Sequence, residues 1–381
     1  MAFDFSGIRG NDTLKAELAG LVHSGQMPHA LMFHGKTGSG KLRIALATAR
    51  MLLCANPSAG DLCGMCSPCK KTAKLSHPDL HFLFPIIGSE YTSDDYVAAW
   101  REVIIRHPEI DLQAWLEQGD FESKSKNLQG NLSTRNILNG MHKLSFKSYE
   151  GGNKVLVIWL PELMGKEGNR LLKLIEEPPE NTYIILVTEQ MGAILPTILS
   201  RTQLFKVDAY REEEVVDILA EGGIAPEQAQ KIAPVVQGNV NEAFKIATST
   251  EDSVDDIWTL PHWAQLAKNN DAGALVKMAA AFQGLNNHHR KQFVKQCSLL
   301  VHKAIQTKIH GKAETSYLKP EEIEFIRNFA NALEVPQMYA LISVLDKAIF
   351  YIERNVNASI VFMALTFQFE KYLRISAAST A

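Results

Sequence analysis

The chain has 381 residues, a formal net charge of −3, and 46% hydrophobic against 21% charged residues. That length exceeds the usual size of one core, so two or three domains are expected. The slightly acidic balance argues against a surface that clings to nucleic acid throughout, while leaving room for a local basic patch or for membership of an assembly that grips DNA collectively. No apolar run reaches the roughly 18–20 residues that span a bilayer, and the first residues lack the basic and apolar regions of a secretory signal. A cytoplasmic protein with no membrane partner is therefore the expectation.

Taken in chain order, residues 1–207 alternate strand-like and helix-like segments, the pattern of an α/β fold. ALMFHG (Ala30–Gly35) reads as an apolar strand running into a glycine loop, and KLRIALATARMLLC (Lys41–Cys54) follows with helical spacing. Between Pro85 and Asn131 the pattern loosens around one possible helix in DYVAAWREVII, which reads as an elaborated surface insertion. NKVLVIWL (Asn153–Leu160) is a second buried strand, GNRLLKLIEE (Gly168–Glu177) a helix stopped by Pro178 and Pro179, TYIILVTE (Thr182–Glu189) a third strand and TQLFKV (Thr202–Val207) a short fourth. Near-continuous Val, Ile and Leu strands predict a parallel sheet covered on both faces. Residues 208–250 read as a small helical lid, and 251–381 as helices throughout. The last of these, NASIVFMALTFQFEKYLRIS, is apolar around much of its circumference, as a bundle core or a subunit contact requires.

Four of the five cysteines, Cys54, Cys63, Cys66 and Cys69, fall within sixteen residues (54–69). Thiolates are soft ligands suited to tetrahedral Zn²⁺. The C-x₂-C-x₂-C run puts three sulfurs in one loop, with Gly64 and Pro68 favouring its turns, and Cys54 at a helix end can supply the fourth. Disulfides are disfavoured in a cytosolic chain, and an iron–sulfur cluster would use the same ligands. With all four positions filled by protein, a structural Zn²⁺ is the reading. Cys297 reads as a small helix-core residue.

The stretch HGKTGSGKL (His34–Leu42) places Gly35, Gly40 and Lys41 where G-x-x-x-x-G-K-[ST] needs them, with Gly38 inside the loop. Leu42 stands where a Ser or Thr hydroxyl should reach Mg²⁺. The partner carboxylates expected at the end of the second strand are replaced by Trp159 and Leu160, and Glu162 would need a shift of register to serve. Without the metal little neutralises the transferring phosphoryl group. Gly35, Gly38, Gly40 and Lys41 thus form a possible cradle for ATP or ADP without hydrolysis, or a purely structural loop.

These residues resemble a known family. FSGIRGNDTLKAELAGLVHSGQMPHALMFHGKTGSGK, the cysteine module, SHPDLHF and GNRLLKLIEEPPENTYIILVTEQMGAILPTILSRTQLF are similar to bacterial clamp-loader subunits, AAA+ proteins of the DNA polymerase III holoenzyme. The resemblance covers most of 1–250; the 251–381 helices fit the family's collar and oligomerisation domain only in type and length. The resemblance implies a P-loop (AAA+) α/β domain with a parallel sheet and zinc module at 1–207, a helical lid at 208–250, and an all-α collar. Active members carry an intact loop, Asp-Glu at the strand end and an arginine in the lid. Here the lid position holds Asn241. The chain therefore resembles the non-hydrolysing, delta-prime type rather than an active gamma/tau-like ATPase; a zinc-dependent DNA-binding protein with a vestigial P-loop is the reading from another class. Ser200-Arg201-Thr202 matches the family's Ser-Arg-Cys element, so the resemblance implies that Arg201 reaches into a neighbour's ATP site. A guanidinium suits that role, being always charged and able to donate to two phosphate oxygens. The implied partners are gamma/tau-like ATPases, a delta-like subunit and, through the assembly, the sliding clamp and primed DNA. Arg135, Lys143 and Lys147 lie on a stretch that either touches phosphate or forms a solvated helix face.

Overall fold

A computed structural model describes residues 3–58, 60–119, 121, 130–248, 258–285, 287–311, 318–354 and 356–378. The chain divides into two compact units, Met1–Ala247 and Thr248–Ala381.

In the first unit the elements run α1 (Asp12–His23), β1 (Ala30–His34), α2 (Lys41–Leu53), α3 (Ser67–Thr72), β2 (Leu80–Leu83), α4 (Val97–Arg106), α5 (Leu112–Gln118), α6 (Thr134–Ser145) and β3 (Lys154–Trp159). A 3₁₀ stretch, Pro161–Leu171, leads into α7 (Leu172–Glu176), followed by β4 (Thr182–Thr188), α8 (Pro196–Leu199), β5 (Gln203–Lys206), α9 (Glu212–Glu221), α10 (Pro226–Ile232) and α11 (Val240–Thr248). The strands form one parallel sheet in the order β2-β3-β4-β1-β5.

Side chains alternate across a strand, and here both faces are buried. Leu31, Phe33, Val155, Val157, Trp159, Ile185 and Val187 enter one core. Ala30, Met32, Leu156, Ile158, Ile184 and Leu186 enter the other. This is why the strands read as unbroken apolar runs. The sequence showed four strands; β2 is the fifth. It is only four residues long and carries a histidine, so periodicity could not single it out.

Two expectations change. The helix read over 168–177 is α-helical only from Leu172. Before it the backbone is 3₁₀ and breaks at Gly165, whose φ of 51° and ψ of −132° no helix contains. The segment after Pro85 is more than a surface insertion. Trp100 of α4 stacks on Phe84 with ring centroids 4.4 Å apart, Trp115 of α5 meets both edge-on, and both indoles are buried. Aromatic pairs of this kind contribute about 0.5–1.5 kcal/mol each beyond their burial. Residues 120 and 122–129 of the segment lie outside the described residues.

Residues α9–α11 have their own small core around Val215, Leu219, Ala229, Val236 and Val240. The second unit consists of α12 (Leu260–Lys268), α13 (Ala272–Gly284), α14 (Asn287–His310), α15 (Pro320–Ala332), α16 (Val335–Glu353) and α17 (Ala358–Ala378). Trp258, Trp263, Phe282, Phe293, Phe362 and Phe369 fill its centre together with Cys297. On α17, Phe362, Leu365 and Phe369 face that core while Ile360 and Phe367 remain exposed. Among the described residues α16 is apolar enough over Val335–Ile352 to cross a membrane by length and composition. The sequence pattern hid it because Asp346 and Lys347 interrupt the run. Met338, Leu341, Leu345, Ala348 and Ile352 pack into the helical core.

Candidate functional site

The cysteine cluster is built by the end of α2 and the start of α3. At Cys54 the backbone leaves the helix for an extended conformation. Cys66 caps α3, and Pro68 fits its first turn, where no backbone N–H is needed. The four Sγ atoms lie within 4.8 Å of one another. Cys54 and Cys66 are 4.0 Å apart and Cys63 and Cys69 3.9 Å, with no disulfide. A tetrahedron with metal–sulfur distances of about 2.3 Å has edges of about 3.8 Å. The N–H groups of Cys63 and Cys69 donate to Cys54 Sγ at 3.3 Å and Cys66 Sγ at 3.4 Å. Backbone N–H groups of Cys66 and Met65 hold the Cys63 thiol down to about 6, whereas burial pushes the Cys54 and Cys69 thiols up. Buried Arg50 supports the cluster: its Nε donates to Thr72 Oγ1 at 3.3 Å and its Nη1 to the Phe3 carbonyl at 2.5 Å. Four sulfurs and no competing oxygen can bind a metal ion and fit tetrahedral Zn²⁺.

The glycine loop has the opposite character. Lys41 Nζ donates to Glu189 Oε1 and to the Lys36 carbonyl, both at 2.9 Å, and Thr37 Oγ1 donates to Glu189 Oε2 at 2.8 Å. A protein carboxylate thus holds the charge that phosphate oxygens would take. Glu189 follows β4, and the pairing of His34 with Thr188 sets it beside the loop. Glu162 accepts from Thr188 Oγ1 at 2.8 Å and from the Glu189 N–H at 2.9 Å, and burial together with the Glu189 charge raises its pKa. Its placement follows from Leu160, whose φ and ψ of 56° lie in the left-handed region that bulky residues avoid.

Leu42 is 4% exposed and Trp159 2%. Trp159 packs on Trp100 at 5.0 Å. Neither offers an oxygen where magnesium would need one, so these residues do not fit the ion. Among Gly38, Gly40, Lys41, Leu42, Glu109 and Trp159 a space of about 10 Å³ is left, about one water.

The lid explains the rest of the filling. A Cβ on Gly40 would stand 2.1 Å from the Tyr210 hydroxyl, and one on Gly38 2.0 Å from Asn239 Oδ1; both glycines also have positive φ. A side chain at either position would meet Tyr210 or Asn239. Tyr210 donates to Glu109 Oε1 at 3.0 Å, and Arg43 lies 3.6 Å from the same oxygen. Burial raises the pKa of Glu109 despite that guanidinium. Asp111 caps α5 through the Ala114 N–H at 2.8 Å and takes Lys245 Nζ at 2.8 Å together with the amide of Asn241. Asn241 thus holds the lid to the segment after Pro85.

Arg201 lies in the turn after α8, at the surface. Its Nε donates to Glu176 Oε1 at 2.5 Å, and its Nη1 to the Thr197 carbonyl at 3.1 Å and Ser200 Oγ at 3.2 Å. None of these partners lines the chain's own cradle. Arg135 donates to the Glu90 carbonyl at 2.6 Å, Lys143 pairs with Asp94, and Lys147 is exposed.

The family described as "DNA polymerase III, delta subunit" matches residues 10–211, more than half of the chain. The chain belongs to that clamp-loader family. The DNA polymerase III subunit delta' of Bacillus subtilis (strain 168) is 27% identical over 231 residues, 60% of this chain and 57% of its own. That of Yersinia pestis is 28% identical over 188 residues, 49% and 43%. The Escherichia coli (strain K12) subunit tau is 25% identical over 257 residues, 66% and 33%. The chain spans about half the length of the curated delta' relatives it matches.

In the structure Gly35, Gly38, Gly40 and Lys41 lie on the loop between β1 and the start of α2, and the four cysteines the sequence grouped lie together. Sequence reasoning missed Glu189, Glu109, Tyr210 and Asp111, which fill or seal the loop. Only Glu189 left a signal, as an acidic residue closing a buried strand.

Proposed function

We propose that this chain is a non-hydrolysing clamp-loader subunit of the DNA polymerase III holoenzyme, of the delta-prime type, and not itself an ATPase. The observation that carries this reading is the Lys41–Glu189 ion pair beside Leu42 and Trp159: the cradle's cation is neutralised internally, and those two side chains offer no oxygen at the positions the motif reserves for magnesium. The chain would work in the cytoplasm with gamma/tau-like ATPases and a delta-like subunit, and meet the sliding clamp and primed DNA through them. The helical unit would serve as the collar, the P-loop as a strut beneath the lid. Cys54, Cys63, Cys66 and Cys69 would hold one Zn²⁺, which when bound cross-links the end of α2 to α3 and performs no reaction.

Arg201 would act in trans. Exposed and oriented by Glu176, its guanidinium can turn from that carboxylate to the phosphates of an ATP held by the adjacent subunit. Such fingers contribute about 10³–10⁵ in rate.

The decisive measurement is ATP hydrolysis by the isolated chain with Mg²⁺. The expected result is no turnover above background; turnover abolished by Lys41→Met would overturn the reading in favour of an active motor. The finger is tested separately by reconstituting the loader with Arg201→Ala. An unchanged ATPase rate would discard it.

A further inference from the structure

A second cavity lies on the β2 edge of the sheet, away from the glycine loop. It encloses about 130 Å³ and is lined among others by Ser76, His81, Asp94, Arg101 and Lys143. That is many times the roughly 10–15 Å³ that admits one water.

Its charges do not cancel. Lys143 pairs with Asp94, which also accepts from Asn139 Nδ2 at 2.6 Å. Arg101, on α4, is left over. Its guanidinium feels the Asp94 charge but makes no hydrogen bond or ion pair among the described residues, and its Nε is sealed from solvent without a partner. An unpaired, half-buried guanidinium is costly where it stands, and an oxyanion in the cavity would remove that cost. His81 contributes without adding charge: burial and the Lys143 ammonium depress its pKa to about 4, so its neutral ring offers one N–H donor. The Arg101 fork, the two ammonium protons that Lys143 has left after Asp94, and the His81 N–H thus come from three elements, α4, α6 and β2. Donors arriving from three directions suit a tetrahedral anion better than a planar carboxylate.

We propose that this cavity binds a single phosphate group, gripped by Arg101 with Lys143 and His81 around it. The phosphate can be a free anion or belong to a nucleic-acid strand. The site is independent of the clamp-loader reading, since none of its residues touches the glycine loop or Arg201.

The test titrates the full chain, zinc-loaded, with inorganic phosphate by calorimetry, and repeats it with Arg101→Gln and Arg101→Lys. Loss of a charged hydrogen bond weakens binding by about tenfold or more; Gln should show that loss, and Lys a smaller one because it keeps the charge without the fork. In case the variants fold poorly, the wild-type chain is treated with phenylglyoxal and mapped by mass spectrometry, where inorganic phosphate should protect Arg101. A short single-stranded oligonucleotide in the same assay separates the sources: protection by the oligonucleotide assigns a strand phosphate, protection by inorganic phosphate alone a free anion. Binding unchanged in Arg101→Gln, protection that spares Arg101, or no measurable binding of either probe would overturn the proposal.

Discussion

The cysteine cluster and the glycine loop flank the same helix, α2, and their motifs are equally clear, yet they end in opposite states. At the helix C-terminus four sulfurs converge to within 4.8 Å of one another. At its N-terminus Glu189, Tyr210, Asn239 and Trp159 occupy or close the space. A ligand set carried within sixteen residues fixes its own geometry, because a short loop and two N–H···S bonds leave the sulfurs few other places to go. A phosphate loop fixes only one wall of its site. The rest comes from β4, the lid and the segment after Pro85, far apart in sequence, and these decide whether the site is open.

The largest expected effect strikes the preorganised end. Metal analysis should find one equivalent of zinc, and replacing Cys66 and Cys69 together by Ser should abolish it and collapse the link between α2 and α3, since binding free energy at structural zinc sites amounts to about 10–16 kcal/mol in small peptides. Full metal content in that variant would break the contrast. At the other end, Lys41→Met should destabilise the chain by about 3 kcal/mol in chemical denaturation, because Glu189 then lies beside Glu162 with no cation. Pairing it with Glu189→Leu should recover most of the loss. A Lys41→Met chain of unchanged stability would show that the lysine waits for a ligand.

Gly40→Ala sharpens the same point. Its φ of 78° and the Tyr210 hydroxyl 2.1 Å from the new methyl predict a cost of about 2 kcal/mol. Hydrogen exchange should locate the disturbance in the lid; a fault confined to the loop would argue against the strut.

The smallest effect is one of sign. Metal binding requires thiolates, so acidification should release zinc. Glu109 and Glu162 have folded pKa values raised by burial. Their contribution to stability is full below the unfolded carboxyl value and lost as pH rises through the raised one. Lowering the pH should therefore loosen the cysteine cluster while tightening the cradle, read as zinc release against exchange at the Val240 N–H, which donates to the Gly38 carbonyl at 3.3 Å. Parallel trends would dissolve the distinction.

Particular residues show how much was legible. The strands β1, β3 and β4 were plain because both faces are apolar, and so was α2, whereas β5 buries only Phe205 and was read from a short run. Leu42, Trp159 and Leu160 were legible in the sequence as positions without a hydroxyl or carboxylate. Glu162 could not be placed, because its position depends on one left-handed residue, Leu160, ahead of a proline. The segment after Pro85 read as decoration because its Trp100 and Trp115 are isolated in a polar stretch; their partners Phe84 and Trp159 meet them only in space.

By itself the sequence determined what short-range chemistry can determine: the α/β unit, the helical unit, the four-cysteine ligand set, and the absence of hydroxyl or carboxylate at the magnesium positions. Tertiary structure alone decided that Glu189 neutralises Lys41, that Tyr210 and Asn239 close the loop, and that Arg101 is left unpaired over an open cavity. The physical reason is reach. A local motif governs a few residues' dihedrals and donors, whereas the filling of a cavity and the pairing of a buried charge depend on groups brought together from strands and lids that sequence spacing does not order.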